Sequence, residues 1–210
     1  MLWIIAGIIT SYLIGSIPTA FIFGKLLKGI DIRKFGSGNV GATNAFRVLG
    51  KKVGISVLAL DIFKGIIPIF LVQIAGLPIN ISWDLFRILI GISCICGHNW
   101  TIFLNFKGGK GIATTLGVLI GLAWKTPGLG GILLLLVLIW ILIFLLSRMV
   151  SLASIVSGLI LPLLVVVFRQ SPAIICASII LALFVIIRHK SNISRLLHGQ
   201  EVRLNFSKKA

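Results

Sequence analysis

Three stretches, far apart in the chain, hold most of the side chains able to bind or transform a small ligand. The first is Gly36-Ser37-Gly38-Asn39-Val40-Gly41-Ala42-Thr43-Asn44-Ala45-Phe46-Arg47. Glycines let backbone N–H groups converge on an anion, and a following helix start adds its dipole. Ser37 is placed to cap a short helix that ends near Gly50, and on such a helix Asn39, Thr43 and Arg47 share a face. The stretch contains a formal G-x-G-x-x-G. A dinucleotide site would need a preceding strand in a βαβ unit, and the flanks here are long apolar runs. The second stretch, Phe106-Lys107-Gly108-Gly109-Lys110-Gly111, precedes a short apolar segment. It is not a Walker A loop, because Leu104 stands where the first glycine belongs and Gly111 where Ser or Thr should follow the lysine. Three glycines and two lysines at a helix start still make a phosphate cradle. The third stretch runs from His189 to Glu201. If the preceding helix continues, His189, Asn192 and Arg195 fall within an arc of about 120° at ~3.6 residues per turn. They offer a titratable ring, an amide and a fixed cation. The ordinary alternatives are a Gly-rich turn, a flexible basic loop and a solvated basic tail.

The residue types exclude several chemistries. Only 4 Asp and Glu occur in 210 residues, and Glu201 is the one acid within the three stretches. That removes a paired-carboxylate mechanism and a carboxylate metal site. A nucleophile–His–Asp triad has no obvious third member on the cytoplasmic side. Many glycerolipid acyltransferases place Asp five residues after His; here His98, His189 and His198 are followed at that spacing by Phe103, Ser194 and Arg203. Cys94, Cys96 and Cys176 are odd in number and lie in apolar runs, so they argue for neither a disulfide framework nor a metal site. Anion binding is what remains. One charge-assisted hydrogen bond contributes roughly 1.5–3 kcal/mol, so several together hold a small, highly anionic ligand, or two.

The elements that carry these stretches are membrane spans. The chain is 58% hydrophobic and 11% charged, with mean hydropathy +1.16. A soluble domain is nearer ~45–50% apolar and about a quarter charged. The excess apolar surface needs lipid, and the expectation is a single all-α integral membrane domain over residues 1–210. A span needs ~20 apolar residues. Leu2 to Gly24, Val53 to Ile74, Leu85 to Phe103, Leu129 to Leu146, Val150 to Phe168 and Ala173 to Ile187 qualify, with the short Gly111 to Trp124 as a seventh if it crosses. The first run has no basic flank before it and reads as a retained span, not a cleaved signal.

Net charge is +16. In a soluble protein that would suggest nucleic acid; in a membrane protein it marks cytoplasmic loops. With the N-terminus outside and seven crossings, sixteen of the 20 Lys and Arg fall inside, among them Lys208 and Lys209 of the C-terminal segment. Only Lys125 and Arg169 fall outside, and Lys64 and Arg87 lie in or near spans. The reading is therefore a seven-helix transmembrane bundle, N-terminus outside and C-terminus cytoplasmic, with all three polar stretches on the cytoplasmic face. Trp3, Trp83 and Trp124 fall at the outer interface and Trp100 near the inner one, while Trp140 sits mid-span and fits no belt. Asp61 and Lys64 share a helix face inside the second span and read as a pair. Asp84 and Arg87 read as a surface pair.

Taken together, the stretches resemble the signatures of the bacterial acyl-phosphate:glycerol-3-phosphate acyltransferase family, PlsY. A G-S-G-N-x-G-x-x-N-x-x-R loop is matched at 36–47, including Gly38 and Asn44; G-G-K-G at 108–111; and H-x-x-N-x-x-R-L-x-x-G-x-E at His189, Asn192, Arg195, Leu196, Gly199 and Glu201. Gly97-His98 ahead of the second loop and Ser151 after Arg148 also fit. The resemblance covers essentially the whole chain. It implies transfer of a fatty acyl group from acyl phosphate to glycerol 3-phosphate, giving lysophosphatidic acid and phosphate at the bacterial cytoplasmic (inner) membrane, with no metal or organic cofactor and no nucleic acid. It further implies that Gly108, Gly109, Lys110 and Gly111 hold the acyl phosphate with Asn39 and Thr43. Arg47, Ser37, His189, Asn192 and Ser151 hold glycerol 3-phosphate, Lys110 reaches both phosphates, and Glu201 orients Arg195. The proton acceptor stays open between His189 and a substrate phosphate. Membrane lipid surrounds the enzyme, and a soluble enzyme that makes acyl phosphate is the expected handover partner. The rival readings are a transporter or channel for an anionic solute and a scaffold for acidic partners.

Overall fold

The structure is a computed structural model that describes residues 1–204; Lys208 and Lys209 lie outside the described residues. Among the described residues the regular structure is entirely helical: α1 Leu2–Ser16, α2 Thr19–Lys28, α3 Ala42–Leu49, α4 Lys51–Ala75, α5 Trp83–Asn99, α6 Ile112–Ala123, α7 Leu129–Ser147, α8 Val150–Val167, α9 Pro172–Arg188 and α10 Lys190–Leu197, with two short 3-10 turns at Ile32–Lys34 and Ile102–Leu104. Two compact units are present, one from Met1 to Leu122 and one from Ala123 onward.

Five continuous or nearly continuous segments are long and apolar enough to cross a membrane: Leu2–Lys28, Lys51–Ala75, Trp83–Leu104, Leu129–Ser147 and Val150–Val167. A sixth consists of α9 and α10, bent by 64° at their junction. The seventh expected span, α6, has 12 residues, which at ~1.5 Å per residue is about 18 Å, against a hydrocarbon core of about 30 Å.

In the first unit the helices touch through small residues. Added Cβ atoms on Gly15 of α1 and Gly97 of α5 would strike the backbone carbonyls of Cys94 and Tyr12 respectively. This close approach is bridged by hydroxyls: Ser11 Oγ donates to the Ile90 carbonyl at 2.7 Å, Ser93 Oγ to that of Ile8 at 2.7 Å and Tyr12 Oη to that of Trp100 at 2.6 Å. Apolar side chains gain nothing by leaving lipid, so close backbone packing and hydrogen bonds must hold membrane helices together. Gly65 of α4 and Gly117 of α6 repeat the device, each lying against a carbonyl of the other helix.

The first apolar run is broken in the middle. Pro18 has no N–H to continue the helical ladder, so α1 ends at Ser16 and α2 begins at Thr19. Helix α2 then runs through both Lys25 and Lys28 and stops at Gly29, whose φ is +66°.

In the second unit α7, α8 and α9 pack in sequence. Trp140, which fits no aromatic belt, donates from Nε1 to Ser154 Oγ at 3.1 Å and so joins α7 to α8. Leu134, Leu138, Leu142 and Leu145 of α7 remain exposed, an outer face suited to lipid.

Arg87 departs from the sequence expectation. Asp84 is exposed, but Arg87 is buried. It pairs with Asp84 and also donates to Gln73 Oε1 and the Trp83 carbonyl, both at 3.3 Å. The pair is therefore half interior: the guanidinium supplies enough donors to satisfy three acceptors on two helices.

Candidate active site

The first polar stretch folds as a loop closed by one buried side chain. Asn44, on the first turn of α3, is 1% exposed. Its Oδ1 accepts from Ser37 N at 2.8 Å, and its Nδ2 donates to the carbonyls of Phe35 at 3.1 Å and Ile32 at 3.3 Å. The loop is thus wrapped around an amide. Gly36 and Gly38 hold φ of +61° and +71°, and a Cβ at Gly36 would collide with Asn44 Oδ1. Ser37 is not the helix cap expected from the sequence: its N–H is drawn back to Asn44, and α3 starts at Ala42 with Gly41 at its N-cap. Asn39 consequently lies ahead of the helix and not on its face. Thr43 and Arg47 do share a face one turn apart, and α3 ends before Gly50 as expected.

Beside the loop, Asp31 caps the turn at Ile32–Lys34. Its carboxylate pairs with Arg33 at 2.7 Å. The hydrogen bond from Arg33 holds the Asp31 carboxyl down to about 2.

The second stretch lies against the end of α5. Gly109 N donates to the His98 carbonyl at 2.9 Å and Gly108 N to that of Asn99 at 3.2 Å. A Cβ on Gly109 would collide with His98 Nε2, and one on Gly111 would lie 2.5 Å from Asn99 Oδ1. Glycine is required at 109 for space alone, and at 111 also for its φ of +81°. Lys110 is half-buried, and the loop ends where α6 begins. The first-turn amides of a helix have no intrahelical acceptor and favour an anion.

Beneath this loop is a buried polar cluster. Asp61 Oδ1 accepts from Thr19 Oγ1 at 2.7 Å and Lys64 Nζ at 2.8 Å, and lies 3.7 Å from His98 Nδ1. Lys64 Nζ also donates to the Ile17 carbonyl at 2.9 Å, at the Pro18 break. A cavity of about 10 Å³ is lined by Val40, Lys64, His98 and Thr101 together with the break. The first unit therefore brings the 36–47 loop, through Val40, beside the residues that support the 108–111 loop. The sequence pairing of Asp61 with Lys64 is present; Thr19 was not foreseen, and His98 was legible only as a motif match, not as a neighbour of Asp61. Their signal was a proline inside a span with a hydroxyl after it, and a histidine near the end of an apolar span ten residues ahead of Gly108.

The second unit gathers its own polar set. Glu201 Oε1 accepts from Ser151 Oγ at 2.6 Å and from Asn192 Nδ2 at 2.7 Å, and Oε2 accepts from Arg195 Nε at 2.8 Å. Burial alone would raise the Glu201 pKa, but the hydrogen bonds from Ser151, Asn192 and Arg195 outweigh it and hold the carboxyl below its ordinary value. His189 is 2% exposed. Its Nδ1 lies 2.9 Å from the Val185 carbonyl. A carbonyl only accepts, so Nδ1 carries a proton. The helix does not continue through His189 as the 120° arc required. The chain bends there by 64°, and α10 places Asn192 and Arg195 on a separate axis. The return of the tail to Glu201 brings Asn192, Arg195 and Ser151 together instead.

Comparison with known proteins extends along nearly the whole chain. The family model described as glycerol-3-phosphate acyltransferase matches residues 5–199. The chain belongs to the glycerol-3-phosphate acyltransferase family. Relatives that bear the family's name include one from Fusobacterium nucleatum, 42% identical over 95% of this chain and 97% of its own length. Another, from Trichlorobacter lovleyi, is 43% identical over 91% of this chain and 92% of its own. Among solved structures, the integral membrane acyltransferase PlsY (YgiH) in its glycerol 3-phosphate form is similar with a TM-score of 0.85 and 37% identity, covering 96% of both chains. The same protein in its lysophosphatidic acid form gives a TM-score of 0.82, covering 96% of this chain and 95% of that one.

Proposed function

We propose that this chain is a membrane acyltransferase that moves a fatty acyl group from acyl phosphate to glycerol 3-phosphate in phospholipid synthesis. The observation that carries the reading is the glycine loop 108–111, with Lys110, lying against the end of α5 at the start of α6 in a chain of this family. Acyl phosphate is a mixed anhydride with a good leaving group, so the protein need only hold two phosphates, orient the hydroxyl and stabilise oxyanion charge.

In this reading the acceptor hydroxyl oxygen attacks the acyl carbonyl carbon. The bond from that carbon to the phosphate oxygen breaks, and lysophosphatidic acid and inorganic phosphate result. The proton passes either to a phosphate oxygen or to His189 Nε2. Gly108, Gly109, Lys110 and Gly111 hold the donor phosphate with Asn39 and Thr43. Arg47, Ser37, Ser151, His189 and Asn192 serve glycerol 3-phosphate, with Arg195 held by Glu201. Gly38 and Asn44 act by shaping the first loop. Seven crossings with the N-terminus outside, a site facing the cytoplasm of a bacterial inner membrane, and delivery of donor by a soluble enzyme complete the proposal; the positive-inside distribution of Lys and Arg supports the orientation.

Purified protein in lipid, given acyl phosphate and radiolabelled glycerol 3-phosphate, should form labelled lipid without an ion gradient. Lys110→Ala and Arg47→Ala should abolish it while remaining folded. Uptake of label into sealed vesicles with no lipid product would instead establish a transporter. A parallel assay with acyl-CoA tests the donor. If His189 is the base, His189→Gln loses the pH-dependent limb of the rate; retention of that limb with only a raised KM makes it a ligand and a phosphate the base.

A further inference from the structure

The Asp61 cluster has no part in the reaction as described, yet it occupies the ground beneath the donor loop. Intramembrane charges are costly, and an apolar pair of similar volume would hold two helices at least as well. What the charges accomplish here is directional. Asp61 Oδ1 lies at the meeting of three groups, Thr19 Oγ1, Lys64 Nζ and His98 Nδ1. Thr19 and the Ile17 carbonyl come from the broken first span, Lys64 from α4 and His98 from α5. The cluster therefore ties three elements at one point.

His98 carries that point to the loop. One ring nitrogen faces Asp61, and the other is in contact with the space a side chain at 109 would occupy. The carbonyl of the same residue accepts the Gly109 amide at 2.9 Å. Ring and carbonyl together define where the 109 backbone sits and which way its amides face. With His98 7% exposed and Asp61 1% exposed, both act through the loop and not on substrate.

Resting on the functional reading above, we propose that Thr19, Asp61, Lys64 and His98 form a positioning device. It holds the Gly108–Gly111 loop in the orientation that receives the acyl phosphate group.

Steady-state kinetics with each substrate varied separately tests it. The paired change Asp61→Leu with Lys64→Met removes both charges without leaving one buried alone. It should raise KM for acyl phosphate about tenfold, the scale of one lost charge-assisted contact, and raise KM for glycerol 3-phosphate, which shares only Lys110 with that loop, by much less. A purely structural role would lower the active fraction, hence the apparent kcat, and leave both KM values unchanged; that result overturns the proposal. Should the paired variant not fold, a cycle of Gly109→Ala, His98→Ala and both together decides. The two losses should be strongly non-additive, because the smaller residue at 98 makes room for the new methyl; additive losses refute the link between ring and loop. If wild-type protein itself forms no lipid product, the functional reading falls and the inference with it. If the wild type is active and the variants keep its KM values, only the inference falls.

Discussion

Replacing Glu201 by Gln isolates the charge in the second unit's polar cluster. The carboxylate accepts from Ser151, Asn192 and Arg195 at 2.6, 2.7 and 2.8 Å. A glutamine oxygen still accepts from Ser151 and Asn192, but its amide nitrogen then faces Arg195 Nε, donor against donor. One charge-assisted bond is lost, worth roughly 1.5–3 kcal/mol. The Arg195 side chain is 37% exposed, so water shares that bond and the low end applies, about 1.5 kcal/mol. For a chain of ~150–250 residues, each kcal/mol shifts Tm by ~2–4 °C, so the expected fall is about 3–6 °C. The effect depends on pH with a definite sign. The folded-state pKa of Glu201 is lowered, so its stabilisation is fully present above the unfolded value of about 4.3 and is lost as pH falls through the lower folded value. Thermal unfolding of both proteins in the same detergent, from neutral pH down to the acid limit of the detergent micelle, measures this. The two curves should differ at neutral pH and converge in acid. Equal Tm values at neutral pH, or a gap that persists undiminished in acid, would refute the assignment of the clasp to the Glu201 charge.

Asn44→Ala should destabilise the first loop by about 2–4 kcal/mol, since one buried amide satisfies three backbone groups; limited proteolysis should then cut between residues 33 and 41 far faster than in wild type. Trp140→Phe keeps most of the apolar area but loses the bond to Ser154, and a loss of about 1 kcal/mol is expected in thermal unfolding. Asp31→Asn should change stability by less than about 1 kcal/mol at neutral pH, because its partner Arg33 is a partly exposed residue. Asp31 has its folded pKa at about 2, so any contribution is present above the unfolded value and disappears only toward that pH, and titration of the Asp31 carboxyl by NMR checks it.

How much of the site was readable in advance follows from the range of the forces involved. The spans were legible because lipid requires long apolar runs, and Leu129 to Leu146 or Val150 to Phe168 emerged within a residue or two of their helical ends. Gly50 was legible as a helix end because a local backbone conformation demands it. The three polar stretches were legible because glycines beside Lys, Arg and Asn have little other use in so apolar a chain. Local signals failed where a partner distant in sequence competed. Ser37 could not be known to lose its capping role until Asn44 drew back its amide. Arg87 looked like a surface residue until Gln73 and the Trp83 carbonyl gave its donors an interior home. The helix through His189 looked continuous because nothing in its residues forbids continuation; the bend belongs to the packed chain.

By itself, then, the order of residues determined a helical membrane protein, where most of its helices run, and which stretches of the chain hold its polar side chains. Those are matters of composition and near-neighbour spacing. Tertiary structure alone decided that Thr19 and His98 join the Asp61–Lys64 pair beneath Gly109, and that Glu201 gathers Ser151 and Asn192 as well as Arg195. Such meetings depend on which carbonyls and hydroxyls the packed helices leave within about 3 Å of one another, a distance that no pattern along the chain encodes.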